Sequence, residues 1–143
     1  MDVYSLLLSK KFLYFATAEK NEMIKTEGKF TYIEEGEGTP LILLHGLMGG
    51  VDNFGSMVDI VAEAGFKVLA PDLQLFDVPL LKTSIKYLSE YLNDFMQHKK
   101  LEKAVLVGNS LGGHIALVFS KKHPEKVSGM VLTGSSGLYE NSM

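Results

Sequence analysis

The sequence predicts an α/β protein whose mostly parallel sheet carries helices on both faces. From about residue 41 onward, short apolar runs typical of buried strands alternate with segments of helical periodicity. Crossovers of this kind join parallel strands and place helices on both faces of a sheet. Ahead of them, residues 23–34 alternate between apolar and polar side chains around Glu27-Gly28, which predicts an N-terminal β-hairpin.

The composition predicts one domain and excludes several classes of partner and chemistry. The chain has 143 residues, of which 46% are hydrophobic, so it can bury one core. Its net charge of −3, with no basic run longer than lysine pairs, argues against nucleic acid or an anionic membrane as partner. The lack of cysteine excludes disulfides, thiolate chemistry and Cys-based zinc sites. We expect a cytoplasmic protein, because the sequence shows neither a signal peptide nor a membrane-spanning apolar run.

Residues 1–20 form the first predicted element, a short amphipathic helix that either caps the domain or packs on a partner. Its apolar side chains lie at loosely helical spacing and are Val3, Leu6, Leu7, Phe12, Leu13 and Phe15. The sheet and its crossover helices are predicted over residues 21–143. The hairpin strands lie at 23–26 and 29–34, and the glycines and proline of residues 36–40 predict a turn.

The strands predicted after the hairpin are short apolar runs, at residues 41–44, 66–70, 101–107 and 127–133. The helices predicted between them span about residues 52–64, 83–100 and 111–122. Asp52 or Asn53 caps the first helix and Gly65 ends it, whereas Thr83 or Ser84 caps the second.

A Gly-x-Ser-x-Gly motif, from Gly108 to Gly112, joins the third of these strands to the helix that follows. Strand, sharp turn and helix in this order are the setting in which a serine becomes a nucleophile. Glycines fit at both positions because the turn brings them so close that a side chain would clash. Ser110 is placed at a helix N-terminus, where free N–H groups favour negative charge. An ordinary glycine-rich turn is the alternative interpretation.

Four positions lie at the C-terminal ends of predicted strands. They are His45, Pro71-Asp72, Ser110 and Gly134. Because the C-terminal ends of parallel strands meet at one edge of a sheet, we expect these residues to gather along a single rim.

From about Met23 to its end, the sequence resembles the α/β-hydrolase superfamily. The matching motifs are His45-Gly46 with the glycine-containing loop after it, Pro71-Asp72, the Gly-x-Ser-x-Gly turn, and the His-Pro join before the last strand. The loop after Asp72 departs from the pattern, since residues 73–79 lack the Pro-Gly that often follows there in this superfamily.

By this resemblance Ser110 is the nucleophile, and the backbone N–H groups of Leu47 and Leu111 form an oxyanion hole. A tetrahedral intermediate places negative charge on one oxygen, and two fixed donors stabilise it. The residues that shape the site are His45, Gly46, Gly108 and Gly112. The resemblance implies neither a metal nor a cofactor.

The resemblance is weakest for the general base that would accept the Ser110 proton and for the acid that would orient this base. A serine nucleophile needs a general base and an acid that orients it, and in this superfamily both follow the serine along the chain. Only His114 and His123 follow, one turn into the next helix and at its far end, and Glu140 is the only carboxylate beyond the last strand. His45 is the alternative base. The sequence thus looks like the first part of a hydrolase that lacks its acid and histidine.

The sequence therefore predicts a serine hydrolase that acts on an ester, thioester or similar carbonyl substrate, with this chain alone inactive or very slow. The alternative is a non-catalytic α/β-hydrolase-like module that binds a small molecule, or an interaction subunit. Residues 127–133 form an apolar strand with no successor, and an exposed edge of that kind is a template for pairing. We therefore expect a small-molecule substrate and, at this edge, either a second copy or a complementing chain.

Overall fold

The computed structural model describes residues 24–75 and 84–135, so the helix predicted at 1–20 and the candidate acid Glu140 lie outside it. The described strands are β1 (Ile24–Glu27), β2 (Phe30–Glu35), β3 (Thr39–Leu44), β4 (Phe66–Pro71), β5 (Ala104–Asn109) and β6 (Val127–Thr133). The described α-helices are α1 (Met57–Glu63), α2 (Ile85–His98) and α3 (Leu111–Lys122). Short 3-10 helices lie at Val51–Phe54 and Pro124–Lys126. None of the helices in these ranges is long and apolar enough to cross a bilayer.

The six strands form one sheet in the order β1-β2-β4-β3-β5-β6. β3 pairs in parallel with β4 and β5, and β6 pairs in parallel with β5. β1 and β2 form an antiparallel hairpin whose second strand runs antiparallel to β4. The predicted mostly parallel sheet and its N-terminal hairpin are confirmed. The C-terminal ends of β3, β4, β5 and β6 consequently lie along one rim.

Helices cover both faces of the sheet, as predicted. α2 and α3 pack on one face over the larger apolar core, which includes Phe95 and Phe119. α1 packs on the other face over a smaller cluster that includes Val58. α2 begins at the predicted cap, where Ser84 Oγ accepts the Tyr87 N–H at 3.1 Å.

The connection from β3 to β4 is less helical than the sequence predicts. The expected helix from Asp52 or Asn53 is replaced by the 3-10 turn Val51–Phe54, then Gly55, and only then α1. Gly55 has a φ of 47°, a left-handed conformation that a right-handed helix cannot include, so it divides the segment. Gly65, with a φ of 93°, follows α1 and ends it at the predicted place.

Two predicted strand starts are wrong by two residues or more. Thr39 and Pro40 belong to β3, where they pair with β4, rather than to the preceding turn. A proline is tolerated there because β3 pairs with β5 only from Leu41 onward, so it interrupts no bond to β5. β5 starts later than residue 101, because the Leu101 N–H donates to the Met96 carbonyl at 2.9 Å and closes the end of α2.

A group of charges ties the hairpin to the C-terminal end of α2. Glu34 on β2 accepts a hydrogen bond from Lys99 Nζ at 2.5 Å and lies 3.1 Å from Lys67 Nζ. Lys99 also donates to the hydroxyl of buried Tyr32 at 2.8 Å. Burial alone would raise the pKa of Glu34, but hydrogen bonds from Lys99 and Lys67 outweigh it and hold that pKa below the usual 4.5.

We expect Glu34→Gln to lower the free energy of unfolding by about 2 kcal/mol near neutral pH, since Lys99 and Lys67 lose the anion to which they are hydrogen-bonded. The folded state lowers the pKa of Glu34, so its contribution is present above pH 4.5 and is lost as the pH falls through the folded-state pKa. Urea unfolding from pH 7 to pH 3 should therefore show a difference that shrinks in acid. Glu37→Gln, at an exposed turn carboxylate, is the control. A loss that does not change with pH would contradict this account.

β6 lies at the edge of the sheet that is opposite the hairpin. Each of its seven residues is at least partly exposed, and Val131 retains 50% of its accessible surface. Within residues 24–75 and 84–135, no strand pairs with its outer side. The strand predicted at 127–133 is therefore confirmed, with the same boundaries.

Candidate active site

Ser110 occupies the turn between β5 and α3. Its φ of 53° and ψ of −115° lie in a region that non-glycine residues rarely adopt. A conformation of this kind costs on the order of 1–3 kcal/mol and persists only where the surrounding structure imposes it. Here the Ser110 N–H donates to the Thr133 carbonyl at 2.9 Å, and the Ser110 carbonyl accepts from Gly113 and His114. The exposed serine thus stands at a strand end and at a helix N-terminus, where the sequence places it.

Gly108 and Gly112 let the turn be this tight. A Cβ at Gly108 would lie 2.6 Å from the carbonyl oxygen of Gly112. A Cβ at Gly112 would overlap the carbonyl oxygen of Leu44 and lie 2.8 Å from that of His45. The start of α3 therefore rests directly on the end of β3, and only glycine leaves room for this approach.

The loop after β3 lies against the serine turn. A Cβ at Gly46 would be 3.3 Å from Ser110 Cβ and 3.5 Å from the Asn109 carbonyl oxygen. This closeness follows from the register, because β3 and β5 are parallel neighbours and their C-terminal loops meet. The predicted neighbourhood of the two loops is present.

The two candidate oxyanion donors lie on this paired backbone. Leu47 belongs to a turn in which the Gly49 N–H donates to the Gly46 carbonyl at 3.1 Å. Leu111 is the first residue of α3, and the first N–H groups of a helix have no acceptor within the helix. Their assignment as a pair of donors remains a prediction.

His45 is 2% exposed, and both of its ring nitrogens have partners. The Leu73 N–H donates to Nε2 at 3.0 Å, and Nδ1 lies 2.9 Å from the Gly46 carbonyl oxygen. Because a backbone N–H can only donate, Nε2 carries the lone pair and the proton is on Nδ1. The ring has no free acceptor for the Ser110 proton, which argues against His45 as the base.

Sequence reasoning missed how firmly the loop after β4 is held. Asp72 Oδ1 accepts the Gln74 N–H at 3.0 Å, and the Asp72 carbonyl accepts the Tyr91 hydroxyl at 2.7 Å. His45 Nε2 lies 3.6 Å from Asp72 Oδ1, too far for a hydrogen bond, and the Gln74 N–H stabilises the charged form of that carboxylate. Burial raises the pKa of Tyr91, which keeps its hydroxyl a donor. The position of Asp72 after a predicted strand could have indicated it in the sequence. Tyr91 lies within a predicted helix, and no sequence signal separates it from the other residues of that helix.

The other three histidines have other surroundings. His98 Nε2 is 2.8 Å from a Glu27 carboxylate oxygen, and His123 follows α3 at its far end, beside Phe119. His114 lies in the first turn of α3. In the part of the chain that the structure describes, no histidine ring forms a hydrogen bond with Ser110.

A cavity of about 240 Å³ opens beside the serine turn on the α1 side of the sheet. Its walls are mixed apolar and polar, and its lining residues are His45, Asn53, Phe54, Met57, Val107, Asn109 and Thr133. The Thr133 hydroxyl donates to Asn109 Oδ1 at 3.2 Å, which fixes the orientation of the Asn109 side-chain amide in the cavity wall. The cavity can hold a small organic group within reach of the rim.

The sheet, the strained serine turn and the adjoining loop are those of a hydrolase fold, and comparison with known families agrees. A model of the alpha/beta hydrolase fold matches residues 39–143. The chain belongs to the α/β-hydrolase family.

Its relatives are hydrolases of several kinds. The 2-hydroxy-6-oxo-6-(2'-aminophenyl)hexa-2,4-dienoic acid hydrolase of Metapseudomonas resinovorans is 36% identical over 75% of this chain and 39% of its own length. Lipase 1 of Psychrobacter immobilis is 32% identical over 84% of this chain and 39% of its own. An alpha/beta hydrolase enzyme from the metagenome of lagoon sediments at Mar Chica, Morocco, is 55% identical, with a TM-score of 0.76 over 82% of this chain and 53% of that one. The chain thus spans about two fifths of the length of the first two relatives.

Proposed function

We propose that this chain carries the nucleophile and the oxyanion-binding backbone of a serine hydrolase acting on an ester, thioester or similar carbonyl substrate. The observation that carries the proposal is the strained turn of Ser110, with the Gly46 loop packed against it. Ser110 Oγ attacks the carbonyl carbon, the alcohol or thiol leaves, and water then releases the acid from the acyl-serine. The Leu47 and Leu111 N–H groups stabilise the negative oxygen, and losing one such donor costs about 3–4 kcal/mol.

All four histidines of the chain lie within residues 24–75 and 84–135, and none of them bonds to Ser110 there, so we infer that the general base comes from elsewhere. Both His45 nitrogens are engaged, and the other histidines do not bond to Ser110 in the described residues. The chain alone would then use water as a poor base. Serine enzymes without triad members still exceed the uncatalysed rate by about 10³–10⁴, through the oxyanion hole and binding. We therefore expect slow but measurable turnover.

Ser110→Ala tests the proposal. We expect the purified chain to release p-nitrophenol from p-nitrophenyl acetate slowly and to gain the mass of one acetyl group, and Ser110→Ala to lose both signals. Ser120→Ala is the control, because this hydroxyl lies at the far end of α3 and bonds to the Leu117 carbonyl at 2.9 Å. Equal rates for the wild type and Ser110→Ala would contradict the proposal. Rapid Ser110-dependent turnover would reveal a base within this chain.

A second candidate is a module that binds a small molecule without turnover. The cavity of about 240 Å³ beside Asn109 favours this second candidate, because a binding site needs a cavity but no general base. The relatives suggest ligands to try, namely a short fatty-acid ester and a 2-hydroxy-6-oxo-dienoate. Binding of either without product formation would favour this second candidate over the hydrolase.

We also propose that the outer edge of β6 pairs with another polypeptide, either a second copy or a complementing chain. Val131 and Met130 are 50% and 38% exposed on this strand, and an apolar edge favours pairing. Light scattering should give a mass above that of the monomer, and Val131→Lys should return the monomer. A wild-type chain that stays monomeric when concentrated and captures no complementing fragment would contradict this.

A further inference from the structure

We propose that a single directed chain of hydrogen bonds, from the Tyr91 hydroxyl through the His45 ring, sets and polarises the Leu47 N–H. Tyr91 and His45 are then positioning residues for the oxyanion hole. The inference rests on the proposed function for the role of Leu47, whereas the chain of hydrogen bonds is a feature of the molecule itself.

The first link joins α2 to the loop after β4. The Tyr91 hydroxyl donates to the Asp72 carbonyl at 2.7 Å. That carbonyl and the Leu73 N–H belong to the same peptide unit, which is planar and trans, so they point in opposite directions. A donor on one end therefore fixes the direction of the N–H on the other.

The second link passes through the imidazole. The Leu73 N–H donates to His45 Nε2 at 3.0 Å, which leaves the ring proton on Nδ1. Nδ1–H then donates to the Gly46 carbonyl at 2.9 Å. A buried ring with one nitrogen accepting and the other donating is confined to one tautomer.

The last peptide unit carries the candidate donor. The Gly46 carbonyl accepts from His45 Nδ1 and from the Gly49 N–H, and its peptide ends in the Leu47 N–H. Because this peptide is also trans, the Leu47 N–H points away from the His45 ring. The same backbone lies against Ser110, since a Cβ placed on Gly46 would be 3.3 Å from the Ser110 Cβ.

Every link of this chain donates in the same sense, from helix α2 toward Leu47. Hydrogen bonds in series polarise one another, by about 10–30% per bond in condensed-phase estimates. The consequence is a Leu47 N–H that is both fixed in direction and a stronger donor than an isolated amide. Fixed donors of this kind stabilise a developing oxyanion because they need no reorganisation during the reaction.

Nitrogen NMR of the wild-type protein tests this series of hydrogen bonds directly, without a measurement of catalytic activity. We expect the His45 signals to report a protonated Nδ1 and an unprotonated Nε2, and Tyr91→Phe to shift the Leu47 amide signal. Tyr87→Phe is the matched control, because Tyr87 lies on the same helix and is 42% exposed. The opposite tautomer, or a Leu47 signal unmoved by Tyr91→Phe, would overturn the inference.

Kinetics with p-nitrophenyl acetate test whether Tyr91 and His45 act as positioning residues for the oxyanion hole. We expect Tyr91→Phe to lower kcat about threefold with KM nearly unchanged, because only the polarisation is lost. His45→Gln, whose amide reaches the Nε2 position but not Nδ1, should lower kcat about 100-fold, the effect of losing one oxyanion donor. His45→Asn keeps a donor at the Nδ1 position and should retain more activity than His45→Gln. Equal losses in the two His45 variants would contradict the role given to Nδ1.

The outcomes separate this inference from the proposed function. Turnover that depends on Ser110 but not on Tyr91 or His45 would overturn the inference and leave the hydrolase proposal standing. Absence of Ser110-dependent turnover would overturn the hydrolase proposal, while the NMR signals still decide whether the chain of hydrogen bonds exists. If the buried His45 variants do not fold, Tyr91→Phe decides, because it removes one hydroxyl and keeps the ring that packs 5.3 Å from Phe30.

Discussion

Gly112→Ala is expected to lower the free energy of unfolding by about 3 kcal/mol, although alanine is the better helix former. Within an ordinary helix this change would stabilise by about 1 kcal/mol. Here the new Cβ would overlap the Leu44 carbonyl oxygen and lie 2.8 Å from that of His45, and both are backbone atoms of the sheet edge. The start of α3 would have to lift from β3, and the Ser110 turn would move with it.

Urea unfolding followed by circular dichroism measures this loss. Gly50→Ala is the matched control, because its φ is −148° and a Cβ there would meet no atom within 4 Å. That control should stay within about 0.5 kcal/mol of the wild type. Similar stabilities for the two variants would mean that the contact between α3 and β3 is not as tight as described.

Phe95→Ala is the second large expected effect, a loss of about 3–5 kcal/mol in the free energy of unfolding. Phe95 is fully buried on α2, and its ring lies 5.5 Å from that of Phe30 and 5.3 Å from that of Tyr32, edge to face in both cases. Removing the ring would leave a cavity between the helix and the hairpin. Phe95→Leu should cost less than Phe95→Ala, because it refills much of the volume.

The two Phe95 variants can be compared by calorimetry and by hydrogen exchange of β2. Loss of the cavity-filling ring should expose the β2 amides to faster exchange, since α2 holds that strand through this contact. If Phe95→Ala and Phe95→Leu were equally stable, packing at this position would not be the source of the effect.

Much of the fold could be predicted because it depends on local patterns. Apolar runs and helical spacing gave β6 its correct boundaries and placed Ser110 between a strand and a helix. The division at Gly55 could not be predicted, because a glycine inside a helical pattern does not reveal its φ. The start of β5 was misplaced for a related reason, since Leu101 is apolar but serves to close α2.

The site was predictable only where a motif marks it. The Gly-x-Ser-x-Gly turn and His45-Gly46 carry their own signal, and the structure brings them together. The bond between Tyr91 and Asp72 joins residues on different elements, so no spacing in the sequence indicates it. The same holds for Glu34 and Lys99, whose pairing depends on how β2 and α2 pack.

The place of β3 between β4 and β5 has a consequence for the order of folding. Position 41 pairs with position 105, although β4 and α2 separate them along the chain. Closing so long a loop costs conformational entropy before the pairing can compensate for it. The hairpin and the β3–β4 unit use nearer contacts and can assemble earlier. Because the Ser110 turn contacts both β6 and the end of β3, we expect Ser110 to take up its strained backbone geometry only after these strands have joined β5, so partly folded chains would lack it.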